Sequence, residues 1–211
     1  MIRSTIQRNF RATAIGALLG IAIASPAAAA EDETEPSDRL ALEALHNYAA
    51  CAVNRTPAGA EKMLSLEPGT PRFKAARRRF AQGHDMCAKR GDRLQFGGMI
   101  FGGDVAEALI VKKYNAAALA AAAAAPAPTP LNTIEAIGMC VARAKPADVF
   151  ALFATTPASD AELAALKPTG DILPGCIPAG QTIKLNRPAV RAIYALGAYR
   201  LLAGNPAHPE G

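Results

Sequence analysis

Two pairs of cysteines with one shared spacing constrain this chain more than any other feature. Cys51 and Cys87 lie 36 positions apart, and so do Cys140 and Cys176. The segments opening on the first cysteine of each pair, CAVNRTP (51–57) and CVARAKP (140–146), both reach a proline six residues on. Laid over one another at an offset of 89 without a gap, the halves also match Pro68 with Pro157 and Gly91 with Gly180. Apolar positions keep the register: Leu45 with Ile134, Leu64 with Phe153, Leu94 with Ile183, Phe96 with Leu185. Overall identity between the halves is low, but the matches fall on residue types that restrict the backbone. Repeated spacing of that kind marks a tandem duplication.

Within each half the periodicity is helical. Leu42, Leu45, Ala49 and Ala52 recur at helical spacing, as do Ile134, Ile137 and Val141. Asn132 with Glu135 supplies a capping pair for the second of these helices. A second helix starts at Thr56-Pro57 and at Lys145-Pro146, where proline sacrifices no intrahelical bond, and it stops before Pro68 and Pro157. A third starts at Thr70-Pro71 and at the capping box SDAE (159–162). GDRLQF (91–96) and GQTIKL (180–185) alternate polar with apolar residues and predict short extended connectors. The last helix is expected near Gly103-Asp104 and near Arg187-Pro188. In the second half Val190, Ile193, Tyr194, Gly197 and Leu201 form its apolar face, and Gly204 is its cap. The predicted fold is all-α: two tandem homologous four-helix units, 38–115 and 131–204, each with one internal disulfide. An Ala/Pro linker (116–130) joins them, its alanines extending the preceding helix and Pro126, Pro128 and Pro130 keeping the two cores apart.

This arrangement puts one cysteine late in the first helix and its mate just after the third. Four cysteines allow three pairings, and only pairing within each half is equivalent in both copies. Each bridge closes 36 residues and contributes roughly 3.5–4 kcal/mol in the chain-entropy picture. A helical unit of this size has a small core and commonly needs such a staple.

Residues 1–30 read as a secretory leader. Arg3, Arg8 and Arg11 precede an apolar run (12–24), and Ala28 and Ala30 fit a small-x-small cleavage site, with Glu31 as the new N-terminus. The apolar run is shorter than the ~20 residues that span a bilayer comfortably, and no later stretch is apolar enough to form a transmembrane segment. The chain carries 23 basic and 18 acidic residues, and three of the basic ones lie in the leader. The mature chain is therefore near neutral, which argues against nucleic acid as a partner. Residues 31–37 form an acidic tail expected to be disordered, and 205–211 a C-terminal tail. Export to the periplasm or beyond places the cysteines where disulfides form.

The pattern Cys-x5-Pro, then Pro, Cys and Gly, seen in CVARAKPADVFALF with CIPAGQTIKLNRPAVR, resembles small exported proteins of alphaproteobacterial type to which no activity is assigned. The resemblance covers most of the mature chain and implies a location and a fold, with no catalytic residue carried over.

No motif for chemistry stands out. His84 and Cys87 form HDMC, but a thiolate–histidine metal site needs reduced cysteines and a fourth ligand, and position 173, opposite His84, is Leu. No Cys-x-x-Cys-His or Gly-x-Ser-x-Gly occurs. His46 near Glu43 reads as a surface neighbour pair, and Asp85, Asp92, Asp104 and Glu107 read as solvated charges. FGGMIFGGD (96–104) reads as a flexible turn. RFKAARRR gathers Arg72, Lys74, Arg77, Arg78 and Arg79, a candidate contact for an anionic surface. The expected function is a non-catalytic exported binding or interaction protein, without metal or cofactor, whose partner is an envelope protein or an anionic surface. The alternatives are an envelope-modifying hydrolase using carboxylates in a cleft between the units, and a structural or stress-related envelope protein.

Overall fold

The computed structural model describes residues 36–88 and 98–204. The leader and its Ala30/Glu31 junction, the GDRLQF connector and the 205–211 tail lie outside them.

The first half contains α1 (Pro36–Arg55), α2 (Pro57–Leu64), α3 (Pro71–Gln82), a 3-10 turn (Asp85–Cys87), α4 (Gly98–Lys113) and α5 (Ala116–Ala124). The second contains α6 (Thr133–Ala144), α7 (Pro146–Leu152), α8 (Asp160–Leu166), a 3-10 turn (Lys167–Thr169), the single turn α9 (Leu173–Cys176) and α10 (Arg187–Ala203). No strand occurs among the described residues. α1 starts inside the stretch read as an acidic tail.

The duplication is written into the backbone. α2 and α7, α3 and α8, and α4 and α10 start at positions that differ by the sequence offset of 89. Thr56 and Lys145, which precede the two proline-initiated helices, share one backbone conformation (φ/ψ −142°/67° and −139°/57°). Gly69 and Ala158 are counterparts and both adopt positive φ, 88° and 58°. Glycine does so freely, whereas the alanine costs roughly 1–2 kcal/mol. The side chains of Thr70 and Ser159 then accept hydrogen bonds from the backbone N–H groups of Phe73 and Glu162.

Disulfides join Cys51 to Cys87 and Cys140 to Cys176, with the same Cα separation of 5.7 Å, one in each half. Each ties the first helix of its half to the segment after the third. The connector 181–186 is extended, and Ile183 and Leu185 point at the core while Gln181, Thr182 and Lys184 face solvent.

Three expectations are corrected. First, α4 starts at Gly98, so Gly98, Gly102 and Gly103 lie inside a helix and not in a turn. Each glycine there costs about 1 kcal/mol relative to alanine. Close approach offsets that cost: a Cβ on Gly103 would collide with the backbone of Ala192 on α10. Second, the alanine run does not prolong α4. The chain breaks at Tyr114-Asn115, the Asn115 side chain caps α5 by accepting from Ala118 N–H, and Leu119, Ala122 and Ala123 are buried. The expected linker is in part a packed helix, with only 125–132 free of helical structure before α6.

Third, the two halves share one hydrophobic core. Its axis is α10, whose buried residues cover nearly its whole circumference from Ala189 to Leu202. One side of α10 meets α6, where Gly138 and Gly197 face each other and a Cβ on either would overlap the other helix's backbone. Another side meets α4 of the first half. Gly103 and Ala192, which touch there, are counterparts under the duplication. A residue resting on its own counterpart is the sign of a two-fold relation between the copies.

Candidate functional site

The two-fold relation creates two counterpart sites where the halves meet, and the sequence fills them differently. The first is lined by Asp104 and Glu107 of α4, Leu42 of α1, and Glu162, Pro188 and Arg191 of the second half. Arg191 projects from α10, which offers it no solvated face. All five of its N–H donors are used: Nε and Nη2 grip the Glu107 carboxylate at 2.8 and 2.6 Å, Nη1 reaches Glu162 and the Thr155 hydroxyl, both at 3.0 Å, and Nη2 also reaches the Thr155 carbonyl at 2.9 Å. Glu162 takes a further hydrogen bond from Ala158 N–H and faces Arg187 at 3.4 Å. Glu107 and Glu162 are each 1% exposed and Arg191 4%.

His46 of α1 looks into the same cluster. Its Nδ1 is 3.6 Å from Asp104 and 3.8 Å from Glu107, outside hydrogen-bonding range of either. Burial lowers the pKa of His46, but the Asp104 carboxylate, followed by Glu107, outweighs it, and the net shift is upward. Burial also raises Asp104 and Glu107 above the usual carboxylate range, against the opposing pull of His46 and Arg191. With His46 protonated, the charges of His46, Arg187 and Arg191 balance those of Asp104, Glu107 and Glu162.

A histidine beside two carboxylates has the parts of an acid–base site, but not the room. The free volume beside the cluster is about 10 Å³, space for one water at most. Glu107 gives both oxygens to Arg191, and Glu162 divides its two between Arg191 and the Ala158 N–H. The geometry builds a closed, self-neutralised ion network between the halves.

The counterpart site is open. Under the offset of 89, Arg191 corresponds to Gly102, Glu162 to Phe73 and Glu107 to Leu196. Asp104 and Arg187 likewise correspond to Ile193 and Gly98, so of the charged network only His46 keeps a charged counterpart, Glu135, and that carboxylate is held by Arg200. Where the guanidinium sits in one half, a groove of about 540 Å³ remains in the other, floored by Phe73, Gly102 and Leu196 and walled by Met99 and Ile134. Lys74 and Arg77 of α3 and Asn132 and Thr133 at the start of α6 form its mouth.

The five cations of α3 are therefore not one patch. Arg72 and Arg79 emerge on one side of the buried Phe73 and Phe80, while Lys74, Arg77 and Arg78 emerge on the other. Only Lys74 and Arg77 border the groove. His84 is not poised for a ligand. Its Nδ1 donates to the Phe80 carbonyl at 2.6 Å, its Nε2 lies 2.9 Å from the Thr56 hydroxyl, and its ring packs on Phe80. Asp85 is exposed, as expected. Asp104 and Glu107 are buried and His46 faces inward, so the reading of these three as surface charges is corrected. Asp92 and His208 lie outside the described residues.

Sequence reasoning passed over Arg191 and took Glu162 only as a capping residue. A usable signal existed: an arginine in a helix apolar all round cannot reach water, so buried acids must meet it.

The chain matches no protein-family model, no curated protein and no solved structure.

Proposed function

We propose that this chain is an exported, periplasmic, non-catalytic binding protein of the alphaproteobacterial type its cysteine pattern resembles, and that the open groove is where it binds. The contrast between the counterpart sites carries this reading. The place where His46, Asp104 and Glu107 converge is closed by its own salt bridges, while the equivalent place in the other half is open, apolar and rimmed by cations. A groove of about 540 Å³ is within the ~300–1,000 Å³ of pockets that take small ligands. Two disulfides and the leader-like start support export.

The test is made on the native protein. Fractionation should find it in the periplasm, starting at Glu31 and without free thiols. Native mass spectrometry of that material should show a retained non-covalent mass. A full-length cytosolic chain with free thiols overturns export. A bare mass that stays bare after incubation with total envelope extract overturns binding.

A further inference from the structure

Resting on the reading of the groove as a binding site, we infer that its ligand is a single-chain amphiphile with a carboxylate head: the apolar body lies on Phe73, Gly102 and Leu196, and the head is held by Lys74 and Arg77. The duplication supplies the argument for the body. In the closed site the arm of Arg191 rises from the α10 position equivalent to Gly102 and fills the space between the halves. In the open site that arm is missing, and the surfaces that would have faced it are Phe73 and Leu196 in place of Glu162 and Glu107. Phe73 is 4% exposed and Leu196 5%, so both are fixed in the core and offer only the faces that form the floor. An apolar guest occupies this space without leaving a carboxylate unpaired.

The mouth supplies the argument for the head. Among the described residues lining the groove the only charged ones are Lys74 and Arg77, both positive. Neither is engaged by an acidic partner among the described residues, in contrast to Arg191 and Arg200, which are both held by buried glutamates. The Arg77 guanidinium rests over Gly98, where a Cβ would strike Nη1, so the missing side chain lets the cation lie beside the groove. A guanidinium fork receives a carboxylate through two parallel hydrogen bonds, and the lysine adds a point charge. The start of α6 opens on the same mouth and adds the positive end of its dipole.

The test is calorimetric titration of the full mature chain with dodecanoate below its micelle concentration. Two amphiphiles of equal chain length serve as comparisons, the neutral dodecyl maltoside and the cationic dodecyltrimethylammonium, together with acetate as a head without a body. Dodecanoate should bind at 1:1, at least tenfold more tightly than either twelve-carbon comparison, and acetate should not register. Lys74→Gln with Arg77→Gln should weaken dodecanoate about tenfold and remove the preference over the neutral chain, whereas Arg72→Gln with Arg79→Gln should change it less than twofold. Gly102→Leu should abolish binding: a Cβ there meets Phe73 and Leu196 at ordinary contact distances of 3.7 and 3.8 Å, and the rest of the side chain fills the groove. Circular dichroism confirms that each variant is folded, and the two α3 pairs carry the test if Gly102→Leu is not.

Equal affinity for the neutral chain overturns recognition of the head. Undiminished binding in a folded Gly102→Leu variant places the guest elsewhere and overturns the site. No binding of dodecanoate by a chain that does retain a mass from the envelope overturns the ligand class alone and leaves the binding function standing.

Discussion

Arg191 and His46 occupy one buried cluster, yet they report on it in different ways. Removing the Arg191 side chain leaves Glu107 and Glu162 buried without their cation, a situation that costs about 3–5 kcal/mol. Arg191→Met should lower the unfolding free energy by about that amount in urea titration. The triple variant Arg191→Met, Glu107→Leu, Glu162→Gln should recover most of it, because a buried ion pair replaced by apolar groups of similar size is often close to neutral. His46 gives the cluster its pH dependence. Its pKa is raised above the ordinary 6.5, and those of Asp104 and Glu107 are raised above theirs, so each group holds its proton more tightly in the folded chain than in the unfolded one. The stabilisation is complete below the unfolded value and is lost as pH rises through the folded one. For His46 the loss starts near pH 6.5 and runs upward. Stability should therefore fall as the solution is made alkaline, and His46→Gln should flatten that part of the profile. A profile that is the same with and without His46 would show the ring titrating independently of the network.

α5 tests whether the region between the halves is a tether or a structural part. Its alanines suit a helix anywhere, and the prolines after it do force an extended stretch. Leu119, however, is fully buried, and α5 packs on α6, α7 and α10. Leu119→Ala should cost about 2–5 kcal/mol by denaturant titration, as for other buried leucines. An effect within about 0.5 kcal/mol, the usual range for surface substitutions, would return the segment to a tether. The helix starts of the repeated unit needed no tertiary information, since Thr70, Asn132 and Ser159 cap the helices they precede through contacts of three residues' range. The start of α4 did need it. Gly98, Gly102 and Gly103 read locally as a breaker, and only the folded chain shows Arg77 and Ala192 packed so closely on Gly98 and Gly103 that a helix there has no room for a Cβ.

At the scale of the molecule the two disulfides staple a single core, not two. Each closes 36 residues, and removing a native bridge typically costs 2–5 kcal/mol. Because α10 packs on both α6 and α4, the loss should not stay in one half. With Cys140→Ala and Cys176→Ala, the protein should unfold in one transition, and amide exchange should quicken in α4 as well as in α6 and α10. Protection in α4 unchanged from the parent chain would mean that the halves unfold separately.

The duplication, the helix boundaries capped from nearby and the disulfide pairing were all legible in the residues alone. They rest on repeated spacing, on proline and on short-range hydrogen bonds, none of which depends on where the other half lies. The fate of the charges was not legible. Asp104, Glu107 and Arg191 share a cluster only because α4 packs on α10 about a two-fold relation, bringing together residues 84 positions apart. The same packing makes a groove of Gly102 and a salt bridge of Arg191 at equivalent places in the two copies. A sequence read one half at a time shows a glycine and an arginine. Which is a floor and which a plug depends on side chains supplied by the other half, and only the folded chain sets them face to face.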